Sequence, residues 1–247
     1  MMTAETLTGA ALPPVVDRET WSRARDELLA REKAHTREGD AIAAARRRLP
    51  MTPVPPGATV HGPDGPTPLL DVFEGRRMLI AYYHMWHHGE PWENQCEGCT
   101  FATCHLDRLD YLHARDVTYA VFCEGSYAES APFAEFMGYG FPWYSAKDSD
   151  PALRDGRGFG MIVCYLRDGD QVYETYWTTD RGVEALLTSY HALDLTVYGR
   201  QERWEESPAG WPTVEGHQWR VDGRPTAQWS RPGVTPVGSA GSCCGGH

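Results

Sequence analysis

The chain has 247 residues, of which 41% are hydrophobic and 23% charged, enough for one substantial core with long appendages or for two small domains. Its net charge of −11 and pI near 5.3 exclude a general nucleic-acid or anionic-membrane binder, which needs a basic face. No apolar run approaches the ~20 residues that span a bilayer. The opening M-M-T-A-E-T-L-T-G-A-A-L-P-P lacks the basic start and apolar stretch of a signal peptide, so a cytoplasmic location is expected.

In chain order, residues 1–16 carry no periodic signal. Asp17 is placed to cap a helix whose apolar stripe is Trp21, Ala24, Leu28 and Leu29. Gly39-Asp40 breaks the pattern, and Ala41 to Arg48 reads as a second helical piece. Its Arg46, Arg47 and Arg48 suit a solvated helix end. Residues 50–68 are rich in Pro and Gly, and H-G-P-D-G-P reads as a tight turn between extended pieces at Thr59–His61 and Thr67–Leu70. Met78 to Tyr83 is a short apolar run with strand-favouring residues, expected as a buried strand. A Trp-bearing polar loop follows. A helical pattern then runs through Phe101, Cys104, Leu106, Leu109 and Leu112. Val117 to Phe122 reads as a second buried strand, Tyr127 to Met137 as a helix, F-P-W-Y-S as a third strand and Met161 to Leu166 as a fourth. Asp168-Gly169 turns into a fifth strand, Val172 to Trp177, and Val183 to Ala192 reads as a last helix.

The order β-α-β-α-β, β-β-α predicts an α/β fold: a mixed sheet with helices on both faces. Three parts are expected: a helical extension over 1–50, the α/β domain over 51–194, and a wrap over 195–247. That last part holds Trp204, Trp211, Trp219 and Trp229, rings expected to pack on the domain or on a second subunit, so a homodimer is possible.

The chemistry concentrates at Cys96 and Cys99. Their C-x-x-C spacing falls at a strand-to-helix junction, with Cys96 at or just before the helix N-terminus. Unpaired N–H groups and the helix dipole stabilise a thiolate there. Cys96 is therefore the expected attacking sulfur and Cys99 the resolving one. Seven cysteines, in a chain expected to meet a reducing compartment, disfavour a static disulfide framework. Trp92 either shields the pair or belongs to the core. Cys104 lies about 140° round the helix from Cys99 and reads as a core thiol or a support residue. Cys123 and Cys164 fall in apolar strands and read as inert packing thiols. Glu90, Glu93 and Glu97 would raise a nearby thiol pKa and oppose the helix effect. A competing reading draws on His84, His87 and His88, which cluster just before the pair. With Cys96 and Cys99 they form a donor set suited to copper or zinc. Cys243-Cys244 with His247 could be a resolving pair or a metal-delivery tail, or simply a Gly/Ser-rich end. Adjacent cysteines bridge each other only with strain.

These stretches also carry a resemblance. W-S-R-A-R-D-E-L-L-A-R-E-K-A-H-T-R, H-G-P-D-G-P-T-P-L-L-D-V-F-E-G-R-R-M-L-I-A-Y, C-E-G-C-T-F-A, F-P-W-Y-S and L-D-L-T-V-Y-G-R-Q-E-R-W-E-E-S-P-A-G-W-P are similar to an uncharacterised bacterial thioredoxin-like family labelled predicted dithiol-disulfide oxidoreductases. More distantly, the F-P-W-Y-S stretch and the D-G-D hairpin resemble peroxiredoxins. The resemblance implies a thioredoxin-like fold and a Cys96/Cys99 dithiol acting on disulfides or peroxides, reset by a thiol reductant and needing no cofactor. Copper-handling members of the same fold keep the metal reading as the alternative; a binding module with a vestigial dithiol is the third. The chain departs from these patterns at Thr100 and Cys104-His105, at its three histidines, at Gly160-Met161 where thioredoxins have a proline, and at Glu93 where peroxiredoxins have Thr or Ser.

Overall fold

The computed structural model describes residues 9–106, 108–214, 220–221 and 224–228. The first helix, α1 (Arg18–Arg46), is capped as expected: the Asp17 carboxylate accepts a hydrogen bond from the Thr20 N–H at 2.8 Å. The break expected at Gly39 is absent, and one helix of 29 residues runs through it. A single glycine costs only about 1 kcal/mol in a helix interior, and good helix formers on both sides outweigh it. None of its side chains is buried, so the Trp21–Leu28 stripe stays at the surface, with both residues about half exposed.

After the edge strand β1 (Thr52–Pro53) comes the hairpin β2 (Thr59–Gly62) and β3 (Gly65–Pro68), then the short α2 (Leu69–Val72). The core elements follow: β4 (Met78–His84), α3 (Glu97–Cys104), α4 (Asp110–His113), β5 (Val117–Cys123), α5 (Tyr127–Met137), β6 (Trp143–Ser145), β7 (Met161–Asp168), β8 (Gln171–Thr179) and α6 (Thr188–Leu193). Two short strands, β9 (Arg220–Val221) and β10 (Arg224–Pro225), pair with each other. The main sheet has eight strands in the order β1-β8-β7-β4-β5-β6-β2-β3. β4, β5 and β6 are parallel neighbours, while β7 runs antiparallel to both β4 and β8. This is the α/β arrangement expected, a mixed sheet: a βαβαβ unit joined to a hairpin and a final helix, with the most buried strands in the middle.

Side chains alternate across a strand, and β4 uses both faces. Leu79, Ala81 and Tyr83 enter one core with Phe73, Phe122 and Val163. Tyr82 enters the other with Tyr119, Val121, Ile162 and Phe133. The second core also contains Cys96 and Cys99, so the pleat places Tyr82 under the start of α3.

Two expected helices are interrupted. The pattern from Phe101 to Leu112 divides into α3 and α4, because the His105 ring turns back to the Phe101 carbonyl at 2.6 Å and closes α3. The expected Val183–Ala192 helix is a 3-10 stretch, Asp180–Leu186, followed by α6. Leu187 leaves helical geometry between them, at φ −95 and ψ 74, and its side chain is buried in the second core. In the wrap, Trp211 meets Tyr198 edge-on at 5.4 Å, whereas Trp204 is exposed under the Arg181 guanidinium. Trp219 and Trp229 lie outside the described residues. No described helix is long and apolar enough to cross a membrane.

Close packing at the C-terminal end of β5 makes a test. A Cβ on Gly125 would lie 2.6 Å from the Trp86 ring, which is itself buried. Gly125→Ala is expected to destabilise the fold by about 1–3 kcal/mol through overpacking, read as a lower urea midpoint.

Candidate active site

The loop between β4 and α3 is long and polar, yet it is held rigidly. The side chain of Gln95, fully buried, accepts from the His87 N–H at 2.8 Å and donates to the His87 and Glu90 carbonyls at 2.9 Å each. This satisfies backbone groups that a sheet partner would otherwise take, and it delivers Cys96 to the N-cap of α3. The Cys96 sulfur accepts from the Cys99 N–H at 3.4 Å. The Cys96 carbonyl receives both the Thr100 N–H at 2.9 Å and its hydroxyl at 2.8 Å. Cys99 Sγ accepts from the Met85 N–H at 3.3 Å, and Met85 Sδ stands 4.0 Å from Cys96 Sγ.

Both thiols are free and buried, at 5% and 3% exposure. Their acidities diverge. The Cys96 thiol donates to Cys99, and this contact holds Cys99 below the ordinary thiol range against the cost of burial; the Tyr82 hydroxyl and the Met85 N–H add to it. The same contact, with burial and the neighbouring charge, pushes Cys96 well up, against the helix N–H groups of Cys99 and Gly98. Position at the N-cap predicts the lower pKa for Cys96. In the structure the donors converge on Cys99 instead. Burial and the two sulfurs also keep the Tyr82 phenol protonated, so it remains a donor.

The sulfurs open onto a groove of about 330 Å³ lined by Met85, Phe159, Gly160, Val183, Leu187 and Tyr190, among others. Gly160 occupies the strand start that faces the dithiol. It has φ +82 and its N–H donates to the Tyr83 carbonyl at 2.7 Å. A side chain there would meet Met85 Sδ at 3.3 Å.

The acidic residues around the pair have cationic partners that sequence reasoning did not identify. Arg220 pairs with the buried Glu97 carboxylate and donates to the Glu93 and Gln95 carbonyls at 2.5 and 3.3 Å. Arg224 pairs with Glu93 at 2.5 Å and holds Gln228 at 2.8 Å; Gln228 in turn donates to the Trp92 carbonyl at 3.1 Å. The wrap thus grips the dithiol loop through guanidinium groups as well as through rings. Arginines among the tryptophans were its one sequence signal.

The other expected residues are placed as follows. Trp92 packs on Phe133 and Phe136 and does not line the groove. Cys104 donates to the Phe101 carbonyl at 3.1 Å and faces a separate cavity of about 400 Å³. Burial pushes Cys123 up to about 12 and Cys164 up to about 11, as inert packing thiols require. The three histidines point different ways. His84 is fully buried against Phe133 and Trp143 and donates from Nδ1 to the Met85 carbonyl at 2.7 Å. His87 Nδ1 lies 2.6 Å from the Asn94 carbonyl, and His88 Nδ1 lies 3.3 Å from Glu129. Among the described residues no three His, Cys, Asp or Glu side chains converge to hold a metal ion. Cys243, Cys244 and His247 lie outside the described residues.

Comparison with known proteins gives one family. Residues 10–223 match the family model described as "Bacterial protein of unknown function (DUF899)". No curated protein matches. Among solved structures, the chain is similar to Peroxidoxin BcpB from Mycobacterium tuberculosis at 18% identity and a TM-score of 0.37, over 59% of this chain and 97% of that one. It is also similar to the bacterioferritin comigratory protein of Xanthomonas campestris at 16% identity and a TM-score of 0.33, over 59% and 94%.

Two outcomes follow from the site's electrostatics. Arg220→Ala leaves the Glu97 carboxylate buried without this cation, and should cost roughly 3 kcal/mol in urea unfolding. Adding Glu97→Gln should recover part of that loss. Burial lowers the His84 pKa from 6.5 to about 4, so the unfolded chain takes up the proton first. Stability is therefore complete above pH 6.5 and is lost as pH falls toward 4. The loss is about 3 kcal/mol, and His84→Gln should flatten that part of the profile.

Proposed function

The chain belongs to this DUF899 family of bacterial proteins, and we propose that it is a thiol oxidoreductase working through the Cys96–Cys99 dithiol. The observation that carries this reading is the contact between the two free sulfurs, supplied with donors from Met85, Tyr82 and the start of α3 and open to one groove. A packing thiol has no use for such a donor set, and burial alone would have raised both pKa values.

In this reading Cys99 holds the resting charge and acts as the base for Cys96. As Cys96 attacks one sulfur of a disulfide, its proton crosses to Cys99, and the charge forming on Cys96 falls on the N–H groups of Cys99 and Gly98. A mixed disulfide forms and the first thiolate leaves. Cys99 then passes its proton to the departing sulfur and attacks Cys96. The second thiol is released and a Cys96–Cys99 disulfide remains. Two electrons and the pair's single proton go to the substrate, the second departing sulfur takes its proton from water, and an external thiol reductant restores the pair. Sulfurs exposed to only 5% and 3% favour a small oxidant. A peroxide satisfies that as well as a small disulfide does: Cys96 would become a sulfenic acid, then lose water to Cys99.

The test is titration of the thiols against dithiothreitol redox buffers and against pH. Cys96 and Cys99 should oxidise together in one two-electron step, absent in Cys96→Ser and in Cys99→Ser. Alkylation of the reduced pair should follow a pKa below the ordinary ~8.5 of a free thiol, rising in Tyr82→Phe as a donor to Cys99 is lost. Two independent thiols of ordinary pKa, with no disulfide between them, would remove the proposal.

A further inference from the structure

Three sulfurs meet at the floor of the dithiol groove. Cys96 and Cys99 are in contact there, and the Met85 thioether joins them, its Sδ 4.0 Å from Cys96 Sγ. Met85 directly follows β4, and two features set its position. Its N–H donates to Cys99 Sγ at 3.3 Å, which ties the residue to the second thiol. Gly160 leaves space beside its sulfur, where a Cβ would press on Sδ at 3.3 Å. The residue that stands where thioredoxins have a proline thus makes room for the thioether. All three sulfur-bearing side chains line the same groove of about 330 Å³, through which a single ion can reach thiols that are almost wholly covered.

We propose that Cys96, Cys99 and Met85 form a binding site for one soft monovalent cation, Cu(I). The inference goes beyond the redox reading and does not rest on it: it asks only that both thiols be free, as they are. Thiolate and thioether donors select soft ions such as Cu(I). The spacing suits such an ion. Three sulfurs each ~2.3 Å from one metal lie ~4.0 Å apart at the corners of a triangle, and Cys96 and Met85 have that separation. Zn(II) calls for four donors, and among the described residues no His, Asp or Glu converges with the two thiols. The thioether that lies between His84 and His87 in the chain takes the place as ligand that the histidines leave. Binding displaces the thiol protons. The Cys99 and Met85 N–H groups, which already point at the two sulfurs, then hold the thiolates in place around the ion. A filled site occupies both sulfurs and blocks their pairing as a disulfide.

Titration with Cu(I) tests this. The full chain carries Cys243→Ser and Cys244→Ser, so that those two thiols take no copper, and it is reduced without oxygen. Cu(I) enters as its acetonitrile complex, with bicinchoninate as the competing chelator. One Cu(I) per chain should be retained, and copper X-ray absorption should show three sulfurs at ~2.3 Å. Met85→Leu, a swap that keeps side-chain volume, should lose one of the three. It should weaken binding by at least the ~10-fold that loss of a supporting residue costs a metal site. Selenomethionine labelling reads the thioether without altering the site: selenium should appear beside copper, and disappear in labelled Met85→Leu. The site is overturned if bicinchoninate removes all the copper, if no selenium lies beside it, or if Met85→Leu matches its parent in affinity and sulfur count. Dithiothreitol titration of the same protein without copper scores the redox reading separately. A pair that oxidises but holds no copper removes the metal site alone; a pair that holds copper but forms no disulfide removes the redox reading alone.

Discussion

The contact between the Cys96 and Cys99 thiols is the interaction around which the rest is arranged. It exists because two buried sulfurs are brought together where hydrogen-bond donors from separate parts of the chain meet. Burial by itself opposes ionisation of any thiol, as Cys123 and Cys164 show. What reverses the balance at Cys99 is a set of three donors from three places: Cys96 from the N-cap, Met85 from the end of β4 and Tyr82 from inside β4. Each is individually modest. Together, in a poorly solvated pocket, they outweigh desolvation.

Supplying those donors depends on the pleat of β4. One face of the strand fills a core made with α2 and the N-terminal hairpin, and the other carries Tyr82 beneath α3. A shift of one residue in register would exchange the faces, removing the phenol from the sulfurs and placing Ala81 there. The seven-residue parallel match to β5 and the six-residue antiparallel match to β7 hold that register from both sides. The loop that follows has no strand to pair with, and Gln95 serves in its place. The ion pairs of Arg220 and Arg224 then offset the acidic charge that the loop carries close to the dithiol. Without them, Glu93 and Glu97 would act against ionisation at the site they adjoin.

How much of this could be read from residue order varies by element. The strands at Met78–His84 and Val117–Cys123, the helix at Tyr127–Met137 and the hairpin at Asp168-Gly169 were legible because each is strongly patterned and bounded by its own turn residues. The position of Cys96 at a helix start was legible for the same reason. Gly39 misled because a local propensity of about 1 kcal/mol is small beside 29 residues of cooperative helix. Leu187 misled in the other direction: its burial, a tertiary demand, overrides a helical pattern. The divergence of the two sulfurs was not legible, since besides Cys96 the donors to Cys99 are Tyr82 and Met85, at and just beyond the end of β4 and distant in sequence from Cys99. Nor were Arg220 and Arg224, more than a hundred residues from the carboxylates they meet.

Sequence alone determined the α/β order of elements, the C-x-x-C at a helix start and the adjacent cysteine pair, because each is a property of neighbours along the chain. Only the tertiary structure decided that the donors converge on Cys99, that the histidines diverge, and that the segment after β10 starts from the dithiol loop. Those depend on distances between residues that the chain brings together by folding, where desolvation and hydrogen bonding take values that no local pattern encodes.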